Sequence, residues 1–115
     1  MSLAKKLNLK DGAKLRVIGK PKDVDLGDVT ITALAKVKDV LVFVSTLADV
    51  DRVGAPVLES PLADRLAWAA YPKAGQLGTD LDRNVLSKAL EKKGVQPVRQ
   101  IAIDDVWSAL RFRPR

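Results

Sequence analysis

The chain has no cysteine and no histidine. Without cysteine there is no disulfide, no thiol nucleophile and no thiolate metal site. Without histidine the commonest proton carrier at neutral pH, and the commonest metal ligand, is missing. Any catalysis would fall to Asp, Glu, Lys, Ser, Thr or the single Tyr71. Aromatic residues make up only 4% of the chain, a thin supply for a platform on which nucleic-acid bases could stack. No apolar run approaches the roughly 20 residues needed to cross a bilayer. The N-terminal MSLAKKLNLK lacks the apolar centre of a secretory signal, so a cytoplasmic protein with no membrane partner is expected.

What is present is ordinary for a globular chain: 115 residues, 47% hydrophobic and 30% charged, which suits one domain over 1–115. The net charge of +6 is carried by the two ends. Residues 1–40 hold nine Lys/Arg against five acids, 81–115 hold eight against four, and the middle holds three against five. Such a balance can serve nucleic acid or another polyanion through counterion release. A solvated basic surface explains it as well.

Hydrophobic periodicity then divides the chain. A short helix is expected over Ser2 to Leu9, followed by a turn at Lys10-Asp11-Gly12. Leu15–Ile18 and the alternating Val29–Leu34 read as strands, and Val40–Val44 as a strand covered on both faces. Residues 45–65 read as broken helix, with Thr46 and Asp49 at capping-box spacing and interruptions at Gly54 and Pro56. After a strand at Leu66–Tyr71, a helix is predicted from about residue 80 to 93. Its apolar stripe is Leu81, Val85, Leu86, Ala89 and Leu90, with Thr79 as cap, Asp82 at the capping-box position and Gly94 as stop. Val98–Ile103 and Ala109–Arg113 close the chain as an antiparallel pair.

Strands alternating with helices predict an α/β fold: a small Rossmann-like, mainly parallel sheet with a C-terminal antiparallel hairpin, forming a three-layer or incomplete sandwich. Four residues between the second and third strands are too few for a parallel return between neighbours. The second strand should therefore run antiparallel to the third or form a short irregular edge.

Ligands of open α/β sheets bind beyond the C-terminal ends of the strands. That edge should gather Lys20, Ser45, Thr46, Lys73, Gly75, Gly78, Thr79, Asp80, Asp104, Trp107 and Ser108, with Arg83 leaning over it from the helix and Arg111 further down the last strand. Lys73-Ala-Gly-Gln-Leu-Gly-Thr79 runs from strand to helix as phosphate loops do. Its lysine precedes both glycines, so it is no P-loop, and Asp80 and Asp82 already complement the helix end. Asp104 and Asp105 point to opposite faces if they are extended, so one metal ion would not engage both; Asp104 is better placed to accept turn amides. Ser108 has no visible base. Trp68 and Trp107 suit packing. Arg111, Arg113 and Arg115 alternate along the final strand, as on a solvated edge or a groove for acidic peptide or nucleic acid.

Several of these residues form wider patterns. They are Trp68, Pro72 and Lys73; Thr79, Asp80, Leu81 and Arg83; Ala102, Ile103, Asp104, Trp107, Ser108, Leu110, Arg111 and Phe112; and Lys6, Leu7, Leu9, Lys10 and Gly12. Together they resemble a family of small bacterial proteins known only as a domain of unknown function. Tyr71 stands where that family is expected to have Trp, Ile101 where it is expected to have Cys, and the 20–28 segment looks shorter. The resemblance implies no established activity, and its strand order looks like the later half of an S-adenosylmethionine-dependent methyltransferase. The cofactor itself is not expected. Val17-Ile18-Gly19-Lys20-Pro21 has one glycine, and Ala35 and Lys36 stand where an acidic residue would hold a ribose.

The sequence thus supports a non-catalytic module binding a partner protein or small anionic ligand through Lys73, Thr79, Arg83 and Ser108, with Asp80 and Asp104 holding the loop and turn. An enzyme acting on an acidic small molecule through Lys73 or Asp104 is the first alternative. Weak polyanion or nucleic-acid binding through the basic termini is the second.

Overall fold

The computed structural model describes residues 3–10, 13–34, 36–37, 39–53, 66–73 and 76–114. It is an α/β fold around one six-stranded mixed sheet. In chain order the elements are α1 (Leu3–Lys6), β1 (Lys14–Ile18), β2 (Thr30–Thr32), β3 (Val40–Phe43), α2 (Leu47–Val53), β4 (Ala67–Pro72), a 3-10 turn (Gln76–Gly78), α3 (Arg83–Glu91), β5 (Val95–Ala102) and β6 (Trp107–Pro114). The strands lie in the order β2-β1-β3-β4-β6-β5; β2 to β4 are mutually parallel, and β6 runs antiparallel to both its neighbours.

The second strand is a short edge, but it pairs with β1 rather than with β3, and in parallel. Register explains how so few residues suffice. Arg16 is level with Thr32 on one side and with Val40 on the other, so β3 begins at the height where β2 ends. The chain has only to step sideways past β1, about two strand spacings of ~4.8 Å. The basic final strand is not an edge: β6 lies between β4 and β5, with Trp107, Ser108, Ala109, Leu110 and Phe112 buried, and β5 is the outer strand.

Two cores cover the two faces. Val40, Val42, Ala69, Tyr71, Leu110 and Phe112 pack with Val50 of α2 and Leu86 and Leu90 of α3. On the other face Leu41, Phe43, Trp68, Trp107 and Ala109 pack with Leu7, Val24 and Leu26. The segment over this second face is short but well tied. Asp28 accepts the amide of Ala4 (3.1 Å), and the indole of Trp68 donates to the Leu7 carbonyl (3.1 Å). Asn8 ends the helix in the left-handed conformation (φ 63°), and the bonds Leu9 N to Ala4 O and Asn8 N to Lys5 O complete a Schellman closure. The expected cap Ser2 and the turn residues Asp11 and Gly12 lie outside the described residues, as do Gly54 and Pro56.

Around α2 the predicted capping box forms. Asp49 accepts the amides of Ser45 and Thr46 at 2.9 and 3.2 Å, and Thr46 Oγ1 accepts that of Asp49. The cap of α3 is Asp82, not Thr79: its carboxylate accepts the Val85 amide at 2.9 Å, and the helix starts at Arg83. Thr79 and Asp80 are drawn away by tertiary partners. The Thr79 hydroxyl donates to the Ser45 carbonyl (2.6 Å) and accepts the Leu81 amide (2.9 Å), while Asp80 accepts the Leu47 amide (2.8 Å) at the start of α2.

Candidate functional site at the C-terminal rim

β4 ends beside the start of β6, where the parallel strands finish. The amide of Lys73 donates to the Val106 carbonyl at 2.7 Å, extending the β4–β6 ladder by one bond. This bond brings the loop after β4 and the turn before β6 to one rim. Asp104 organises that turn, its Oδ1 accepting the amides of Val106 (2.8 Å) and Trp107 (2.7 Å).

On the α3 side of this rim is an open hollow of ≈ 410 Å³ lined by Tyr71, Lys73, Asp82, Arg83, Gln100 and Ser108. Strand alternation sets its floor: Ala67, Ala69 and Tyr71 share the face toward α3, and Ser108 pairs with Tyr71 across the ladder. Gln100 reaches in from β5 and donates to the Tyr71 hydroxyl at 3.0 Å. The first turn of α3 forms one wall, with Asp82 committed to its cap and Arg83 exposed. Lys73 stands on the loop side and is partly exposed.

Tyr71 is almost wholly buried, with 2% of its surface exposed. Burial raises its phenol pKa. The Arg83 guanidinium and the Ser108 hydroxyl act in the opposite direction, and Asp82 reinforces the rise. At neutral pH the ring is therefore a neutral phenol, able to donate one proton in hydrogen bonding and to accept from Gln100. A neutral donor between two cations suits the holding of an oxyanion.

Of the residues nominated from sequence, Lys73, Arg83 and Ser108 meet in this hollow. Thr79 and Asp80 bind the loop to the start of α2 instead, and Asp104 holds its turn. Trp107 is buried on the other face, edge-on to Phe43 with ring centroids 5.1 Å apart. Lys20 turns its ammonium back onto the carbonyls of Pro21 (3.0 Å) and Val24 (2.7 Å). Arg111 lies at the opposite end of the sheet, beside Asp39 and Leu66. Gly75 is outside the described residues.

Sequence reasoning named Tyr71 as an available ionisable group but did not place it in the site, and it did not reach Gln100. The available signal was a lone hydroxyl ending the apolar run Ala67–Pro72, on the same face as Ala69. Among the described residues no three acids gather as a metal site, and no helix is long and apolar enough to cross a membrane. Set against known proteins, the chain matches no family model and no curated sequence.

Proposed function

We propose that the protein is a non-catalytic module that binds a small anionic ligand, bearing a carboxylate or phosphate, in the hollow between Lys73 and Arg83. One observation carries this reading. The buried hydroxyl of Tyr71, fixed by Gln100, opens onto a depression whose rim carries two cations and one carboxylate already engaged by a backbone amide. Lys73 would supply a mobile point charge and Arg83 a planar fork. Ser108 and Tyr71 would supply neutral donors at the floor. Binding is favoured over catalysis because the phenol paired with Ser108, that of Tyr71, has its pKa raised by burial and is a poor base at pH 7.

The same reading expects no S-adenosylmethionine binding at the end of β1. There the ammonium of Lys20 closes its own loop, and a single glycine, Gly19, makes the turn.

The test is thermal unfolding in the presence of nucleotides, sugar phosphates and small carboxylates, since a ligand bound only by the native state raises the melting temperature. At least one compound should raise it, and Lys73→Ala and Arg83→Ala should each weaken that compound by about tenfold, the scale of one charge-assisted hydrogen bond. A stabilising compound whose affinity survives both substitutions would place its site elsewhere. A panel with no effect would remove the reading.

A further inference from the structure

We infer a second, independent site at the opposite end of the sheet: a cavity around Arg111 that takes a small monocarboxylate with an apolar body. The cavity measures ≈ 270 Å³ and is lined by Asn8, Leu9, Lys10, Ala13, Asp39, Leu66 and Arg111. A water molecule's share of liquid volume is about 30 Å³, so the space exceeds what one bridging water fills.

One of the lining residues carries an unsatisfied donor. Among the described residues, Arg111 Nε is the one buried side-chain nitrogen or oxygen with no hydrogen-bond partner. Leaving a cationic N–H without an acceptor away from water is costly, and native structures rarely do so without a reason. Cross-strand register adds a second pressure. Arg111 sits directly opposite Arg99 on β5, and like charges so placed repel. Among the described residues of the lining, an anion would meet two cations, Arg111 and Lys10, against the carboxylate of Asp39, which already accepts the Leu66 amide at 2.9 Å.

The chemistry of the walls narrows the class. A guanidinium presents a planar fork that matches a carboxylate through two parallel hydrogen bonds, and a turn of the side chain would engage Nε in that fork. The Asp39 carboxylate disfavours a doubly charged phosphate. Leu9, Ala13 and Leu66 offer apolar surface to a short alkyl or aromatic body. The site shares no lining residue with the hollow at Tyr71 and does not depend on it.

Benzoate is a suitable probe, followed through the arginine Nε–Hε and backbone amide resonances of the ¹⁵N-labelled protein. It should shift the Arg111 signal and the backbone amides of Leu9 and Ala13 saturably; read at those amides, Arg111→Lys, which keeps the charge but deletes the fork, should weaken benzoate at least tenfold while Lys73→Ala leaves it unchanged. If Arg111→Lys fails to fold, Ala13→Leu, which adds bulk at a lining position, should abolish saturation. A non-saturating Arg111 shift would mean that the cavity holds solvent alone and would overturn the inference. Equal binding by the folded Arg111→Lys variant, loss of binding in Lys73→Ala, or saturation surviving Ala13→Leu would overturn it too.

Discussion

Tyr71 is the single tyrosine of the chain, so its ionisation can be followed by phenolate absorbance without interference from another phenol. Burial raises its pKa above the ordinary value of about 10, and the midpoint should fall back toward that value when the chain is unfolded in denaturant. A stability effect accompanies the shift. The native state resists ionisation, so the associated stability is fully present below the unfolded pKa and is lost as pH rises through the native one. Denaturation midpoints measured from pH 9 upward should therefore fall more steeply for the natural protein than for Tyr71→Phe, which has no phenol to ionise. Equal slopes would mean that the ring is more hydrated than the structure describes. Sequence reasoning reached Lys73, Arg83 and Ser108 because each is close to the end of an element, where chain order determines position. It missed Gln100, whose approach to Tyr71 depends on β6 inserting between β4 and β5. It named Arg111 as a candidate too, but further down the last strand, and the structure sets it well away from the rim. β6 runs antiparallel, and three residues beyond Ser108 at about 3.4 Å each carry Arg111 roughly 10 Å toward the other end of the sheet.

At the level of elements, α3 was legible from its apolar stripe, whereas its first residue was not. Thr79 and Asp82 are both good caps by local rules, and what separates them is remote: the Ser45 carbonyl and the Leu47 amide occupy the side chains of Thr79 and Asp80. Exchange measurements distinguish the two. Asp82→Ala should destabilise the protein by about 1 kcal/mol and speed hydrogen exchange at the Val85 amide. Thr79→Ala should leave Val85 protected and speed exchange at Leu81, whose amide bonds to the Thr79 hydroxyl. The reverse pattern would return the cap to Thr79. The placing of β2 was equally beyond local reading. Hydrophobic alternation identifies a strand but carries no register, and here the level of Arg16 on both sides removes the length constraint that a parallel return would otherwise impose.

For the molecule as a whole, the sheet carries a distinct core on each face, and the segment of α1 is held to the sheet by the packing of Leu3, Ala4 and Leu7 and by a hydrogen bond from one buried side chain. Trp68 is fully buried, and its indole N–H meets the last carbonyl of the Leu3–Leu7 segment across 61 residues of sequence. Trp68→Phe keeps most of the apolar volume but leaves the Leu7 carbonyl without its donor and a small void beside it. The expected cost is about 2 kcal/mol, read as a lower urea midpoint, with faster exchange at the amides of Leu7 and Leu9. An unchanged midpoint would mean that solvent already serves that carbonyl. The α/β class and the closing hairpin followed from the alternation of strand and helix patterns. The order in which the strands assemble did not, because it is decided by which two-sided apolar strands can be enclosed, and only the folded sheet reveals that β6 is one of them.

The separation of the two cores has an optical consequence. Both indoles, Trp68 and Trp107, belong to the face beneath α1, while the lone phenol, Tyr71, belongs to the face beneath α3. Emission excited at the red edge of the indole band therefore reports on one side of the protein, and phenolate absorbance, at a pH between the unfolded and native phenol pKa, on the other. A single sample can show in real time whether the two halves of the interior melt together or in sequence, with no label attached.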